Sequence, residues 1–160
     1  MTKKVEKIPS GIPGFDEISH GGIPKGRVTL ISGTSGSGKT VFSAQFIYKG
    51  IVDYGENGVF VTFEESPTDI IMNMKSFGWD IEKLQKENRL VFVDASPDDS
   101  EVIESGQYDL GAFLSRIKYA IEKVNAKRVA IDSISAIFAH YQAQGLSDGN
   151  YIDLLLCLRK

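Results

Sequence analysis

Gly33-Thr34-Ser35-Gly36-Ser37-Gly38-Lys39-Thr40 fits the pattern G-x-x-x-x-G-K-[ST] in full, and it stands between segments of opposite character. Before it, Arg27-Val28-Thr29-Leu30-Ile31 reads as a short strand. After it, Val41, Phe42, Ala44, Phe46, Ile47, Ile51 and Val52 are mostly spaced by three and four, which predicts a helix from Lys39 to about Tyr54. Strand, loop and helix in that order are the context the pattern requires. The glycines let successive backbone N–H groups turn inward around an anion. The positive end of the helix faces the same point. Lys39 adds a full charge against β- and γ-phosphates, and the Thr40 hydroxyl is placed to ligate Mg²⁺. The expected ligand is ATP with Mg²⁺.

On the carboxyl side the pattern repeats as strand then helix. Val59-Phe60-Val61-Thr62-Phe63 reads as a buried strand ending in Glu64-Glu65, and Pro67 opens a helix capped by Ser66. A short helix is expected from about Asp80 to Glu87, and a strand over Leu90-Val91-Phe92-Val93-Asp94. A polar, acidic loop follows from Ala95 to Gln107. A helix from about Asp109 to Val124 then carries Leu110, Phe113, Leu114, Ile117 and Ile121 on one face. Arg128-Val129-Ala130-Ile131-Asp132 is the next strand, and the chain closes on an apolar helical segment from Tyr151 to Lys160. On the amino side, residues 1–26 are rich in glycine and proline and read as an irregular arm with one helical piece at Phe15 to Ser19. Strands alternating with helices imply an α/β fold, a parallel sheet with helices on both faces. Residues 1–160 are read as one domain.

In an open parallel sheet, ligands sit beyond the carboxyl ends of the strands. Asp132 ends an apolar run and is expected to hold Mg²⁺ opposite Thr40. Glu64 and Glu65 end another; one of them is a candidate to orient or deprotonate an attacking water. Asp94 also ends a strand and is read as structural.

Composition narrows the class. The chain is 42% hydrophobic and 24% charged, ordinary for a globular protein, and its formal net charge of -3 argues against a dedicated nucleic-acid surface. The single cysteine, Cys157, can form neither an internal disulfide nor a cysteine-based metal site. No run reaches the roughly 18 apolar residues of a membrane span, and the start lacks the apolar stretch of a secretory signal. The cytoplasm is the expected compartment. His20 reads as a surface histidine.

Together these residues resemble the KaiC branch of the RecA-like P-loop ATPases. Five stretches carry the likeness: Pro9 to Asp16, Gly21 to Gly26, the loop Gly33 to Thr40, Phe60 to Glu65, and Ile131-Asp132-Ser133. Ser76-Phe77-Gly78-Trp79-Asp80 and Asp94-Ala95-Ser96-Pro97-Asp98 narrow it to the first ATPase half of KaiC-type clock proteins. The resemblance runs from about Ile8 to the end. It implies Glu64 as general base with Glu65 in support, phosphate-loop contacts at Gly36, Ser37, Gly38, Lys39, Thr40 and Val41, and a nucleotide contact at Ser76. Trp79 and Phe77 are expected in the core. The resemblance further implies slow ATP hydrolysis in the first half, Ser/Thr autophosphorylation in a second half, and hexamers with ATP between subunits. The loop from Asp99 to Gln107 has the length of the segment that docks the clock partner KaiB, with different residues.

The family fold also implies a central strand between the phosphate-loop strand and the Asp132 strand, and basic residues that reach a neighbour's γ-phosphate. Neither is found in this sequence, which is therefore expected to be a shortened form of the family domain and a poor hydrolase alone. Two alternatives belong to other classes. A RecA- or RadA-like DNA-dependent ATPase would need a basic groove and salt-sensitive binding to single strands. A nucleotide-binding scaffold would bind ATP without turnover and be indifferent to Glu64→Gln.

Overall fold

The computed structural model describes residues 5–96 and 110–135. The closing apolar segment with Cys157, and the proposed partner loop over 99–107, lie outside the described residues.

The arm begins with a two-residue strand, β1 (Lys7–Ile8), paired antiparallel with β2 (Ile23–Pro24). Between them lies the short helix α1 (Phe15–Ile18). The arm is thus less irregular than its glycine and proline content suggests. Its order comes from one carboxylate: Asp16 accepts from the Ser10 amide at 2.8 Å, the Ser10 hydroxyl at 2.6 Å and the Gly11 amide at 3.1 Å. Burial pushes the Asp16 carboxyl up, but the Ser10 and Gly11 donors outweigh it and hold the group below the usual carboxylate range. The arm lies against the next helix through Gln45, which donates to the Gly11 carbonyl at 3.2 Å, and through an edge-on contact of Phe15 with Phe42, 5.2 Å between ring centres. His20 is exposed, as expected of a surface histidine.

The helix α2 (Lys39–Tyr54) ends where Gly55 takes a left-handed conformation, φ 68°, and returns its N–H to the Ile51 carbonyl. Strand β3 (Gly58–Thr62) follows, then α3 (Pro67–Lys75), α4 (Ile81–Lys86), β4 (Leu90–Asp94), α5 (Leu110–Val124) and β5 (Arg128–Asp132). The starts of α3 and α4 follow local rules. Ser66 accepts the Asp69 amide with Pro67 at the first helical position, and Asp80 accepts the Lys83 amide.

The three long strands form one parallel sheet in the order β4-β3-β5. Every residue of the central strand β3 is buried. Successive side chains go to opposite faces. Val59, Val61 and the following Phe63 join Val93 against Phe113, Ile117, Ala120 and Val124 of α5. Phe60, Leu90 and Ala130 meet Ala44, Ile47 and Ile51 of α2, with Ile70 and Met74 of α3 and Ile81 and Leu84 of α4. Each such buried side chain contributes roughly 1.5–3 kcal/mol relative to exposure, so both faces of the sheet are held. This is the expected α/β architecture with helices on both faces.

One buried cation ties α2 to β5. The Arg128 side chain is fully buried; its Nε donates to Glu56 at 2.7 Å and its Nη1 to the Phe46 carbonyl at 3.0 Å. The guanidinium carbon lies 4.6 Å from the Phe46 ring centre and 5.3 Å from that of Tyr54.

Two expectations are corrected. The Arg27–Ile31 strand does not form: residues 28–34 carry no regular structure, and Val28 and Leu30 are 45% and 74% exposed. A strand exists only through a hydrogen-bonded neighbour, and no described strand pairs with this one. Phe77 is not core but 52% exposed, because Gly78 turns the chain directly after α3 and leaves its ring stacked on Trp79, 5.1 Å between centres. Trp79 is half-buried, as a core-facing residue should be, and stacks in turn on Tyr48.

Candidate functional site

The glycine-rich loop runs into α2 without a break. Gly36 and Gly38 have φ of 76° and 86°, in the left-handed region where a side chain would be strained. Gly33 is held closely for another reason: a Cβ there would lie 2.4 Å from the Ser37 hydroxyl. The Ser37 amide donates to the Thr34 carbonyl at 3.2 Å and closes the loop. The Lys39 ammonium folds back over the loop, donating to the carbonyls of Gly33 at 3.0 Å and Thr34 at 2.9 Å. Residues 33–38 of the loop are exposed, and Lys39 is half-buried.

The amino end of α2 differs from those of α3 and α4. Its cap is Gly38, no side chain accepts from its first amides, and no acidic residue stands in its first turn. The other two helices are capped by Ser66 and Asp80 and carry Asp69 and Glu82 in the first turn. The free N–H groups and the positive helix end therefore meet the loop uncompensated, an arrangement suited to phosphate oxygens. Thr40 and Val41 sit half-buried in the first turn, with Val41 packed on the α2-side core.

The strand ends supply the carboxylates. Thr62 of β3 is aligned with Asp94 on one side and Asp132 on the other. Beyond that row the Phe63 amide donates to the Asp132 carbonyl at 2.9 Å, which extends the β3–β5 pairing by one bond. Asp132 is half-buried. Glu64 is exposed, and its Oε1 accepts from the Ser133 hydroxyl at 2.7 Å. Glu65 is exposed as well, with its carbonyl accepting from the Thr62 hydroxyl at 2.6 Å. Asp94 caps its own turn by accepting the Ser96 amide at 3.0 Å, in line with a structural role.

The arrangement thus joins Glu64, Asp132 and Ser133 through two strands, and places the loop, Lys39 and Thr40 on the helix packed against β5. Ser76 is the carboxyl cap of α3, with its hydroxyl donating to the Asn73 carbonyl at 2.7 Å. Ser133 and Thr62 were not singled out from the sequence as site residues. Ser133 enters the sequence reading only within the Ile131-Asp132-Ser133 likeness, and its link to Glu64 depends on the β3–β5 register.

Among the described residues, no three His, Cys, Asp or Glu groups converge to hold a metal. A donor set of one hydroxyl and one carboxylate fits Mg²⁺, which keeps waters and takes phosphate oxygens for its remaining positions. Among the described residues, no helix is long and apolar enough to cross a membrane.

A family model described as "ATPase: KaiC" matches residues 8–156. The chain is 56% identical over 140 residues to the circadian clock oscillator protein KaiC of Prochlorococcus marinus subsp. pastoris, covering 88% of the chain and 28% of that protein. It is 56% identical over 142 residues to that of Parathermosynechococcus lividus, covering 89% of the chain and 26% of the relative. Against the Synechococcus elongatus protein it is 54% identical over 142 residues, 89% of the chain and 27% of the relative. The chain therefore spans little more than a quarter of the length of these relatives.

Proposed function

The chain belongs to the KaiC family of ATPases, and on that footing we propose that it binds ATP with Mg²⁺ at the Gly33–Thr40 loop and hydrolyses it slowly, as part of a circadian clock protein. The observation that carries this reading is the uncapped amino end of α2 behind a complete phosphate loop. The loop amides and helix end take the β- and γ-phosphates, with Gly36, Ser37, Gly38 and Val41 as the contacts nearest them. Lys39 leaves the Gly33 and Thr34 carbonyls for a phosphate, exchanging two neutral acceptors for an anionic one. Mg²⁺, when bound, spreads the charge that develops on the phosphates; Thr40 and Asp132 would hold it. Glu64 orients the attacking water and takes its proton, with Glu65 supporting the site. Ser133 fixes one oxygen of Glu64, leaving the other for water. Ser76 touches the nucleotide from the end of α3. Assembly into hexamers with ATP between subunits, autophosphorylation by a second half of the protein, and docking of a KaiB-like partner at 99–107 belong to the same proposal.

Glu64→Gln tests the chemistry apart from binding. Hydrolysis should fall by about 10²-fold or more while affinity for Mg·ATP stays within a factor of about two. Undiminished turnover in the variant would remove Glu64 from the chemistry and favour another base; binding in the parent with no turnover would favour the scaffold reading. A DNA-dependent ATPase receives no support from the chain's net charge of -3.

A further inference from the structure

Between the last residue of β3 and the cap of α3 there are only three residues, Phe63, Glu64 and Glu65, and they carry both candidate bases. This turn is fixed at both ends. The Phe63 amide is bound to Asp132, and the Phe63 ring is buried against Phe113, 5.2 Å between centres. At the far end Ser66 caps α3. Across the middle runs one bond from below: the hydroxyl of Thr62, 1% exposed, donates to the Glu65 carbonyl at 2.6 Å. By the alternation along β3, the Thr62 side chain lies on the face of Phe60, the face that carries α2 and α3. The same residue's carbonyl accepts the Ala95 amide at 2.8 Å. Thr62 therefore ties the β4 side of the sheet, through its backbone, to the turn, through its side chain, while the next residue, Phe63, makes the bond to β5.

We infer that Thr62 is a positioning residue for the candidate base: its buried hydroxyl closes the 62–65 turn and sets where the Glu64 carboxylate stands relative to Asp132 and Ser133. The inference rests on the proposed role of Glu64 in hydrolysis. The Thr62 hydroxyl gives the Glu65 carbonyl a donor from within the turn, a local side-chain-to-backbone bond of the kind that fixes turn geometry. Valine in place of threonine keeps shape and strand preference but removes the donor. The turn then has freedom to shift, and a displacement of about 1 Å at a reacting group can cost about 10²-fold in rate.

The test uses the full-length protein in its native assembly and measures hydrolysis and Mg·ATP affinity in parallel. Thr62→Val should lower kcat by roughly 10- to 100-fold with affinity changed by no more than about twofold. Thr62→Ser, which restores the donor, should recover turnover to within about threefold of the parent. In a Glu64→Gln background, Thr62→Val should cost nothing further, because it acts through Glu64. Unchanged turnover in Thr62→Val would overturn the inference. So would loss of nucleotide affinity alongside kcat, failure of Thr62→Ser to recover activity, or an additive loss on Glu64→Gln. If Thr62→Val does not fold, Thr62→Cys, with its weak donor, replaces it; unfolding of both marks the hydroxyl as structural and overturns the role. The unsubstituted protein separates this inference from its premise. No turnover there sinks the functional reading and this role with it, whereas turnover indifferent to Thr62 sinks the role alone.

Discussion

At the scale of single residues, the molecule depends on contacts that only particular side chains can make. Gly50 lies under the buried Arg128: a Cβ there would meet Arg128 Cδ and Nε at 2.3 Å and Cζ at 2.8 Å. Arg128 cannot step aside without breaking its bonds to Glu56 and the Phe46 carbonyl. Alanine ordinarily gains about 1 kcal/mol over glycine inside a helix, but overpacking costs about 1–3 kcal/mol and a broken buried ion pair more. Gly50→Ala should therefore be a net destabilisation of about 2 kcal/mol or more, read as a lowered urea midpoint at unchanged m-value; a raised midpoint would contradict the packing described. None of this is visible in the sequence, where Gly50 is one more small residue in a helix. Glu64 was read as one of two strand-end acids, and only the family resemblance, not the strand pattern, set it apart from Glu65. Alternation along a strand says only that neighbours differ in direction, and the bond from Ser133 to Glu64 exists through the register of β5 on β3.

At the scale of elements, periodicity and caps placed the described helices and three of the strands close to their observed bounds. Leu90–Asp94 and Arg128–Asp132 coincide with the apolar runs read from the sequence, because those runs find partners on β3. Arg27–Ile31 has the same kind of run and no described partner, so the same local preference yields exposed, unpaired chain. Strand formation is a property of pairs, and a one-segment reading sees half of one. The arm shows the converse. Its composition suggested irregularity, while three donors converge on Asp16 across five and six residues of sequence separation. Asp16→Asn should cost about 1–3 kcal/mol at neutral pH. The native Asp16 carboxyl is depressed, so its contribution is fully present above the unfolded value of about 3.9. It is lost as pH falls through the native value. The difference in urea midpoint between parent and variant should accordingly shrink on going from pH 7 to below the usual carboxylate range. A difference that stayed constant with pH would mean that the charge on Asp16 does not contribute.

At the scale of the whole molecule, one sheet brings the proposed carboxylates together at its carboxyl edge. Parallel strands bring Asp94, Thr62 and Asp132 into a row, the turns beyond them carry Glu64 and Ser133, and α2 brings the phosphate loop across from the face it covers. The packed layers hold the positions of the exposed loops to which the proposed chemistry is assigned. The glycine-rich loop and the helix after it were the most legible part, although the strand expected before them does not form among the described residues. What was hidden were the hydroxyls of Thr62 and Ser133, whose roles arise only when separate segments meet. The central claim is that this loop binds nucleotide, and equilibrium binding of Mg·ATP to the purified chain, with Lys39→Ala alongside, tests it most directly. Binding by the parent, weakened roughly 10- to 100-fold by loss of the Lys39 charge, is the expected result. A folded parent that does not bind, or a Lys39→Ala variant that binds as tightly as the parent, would contradict it.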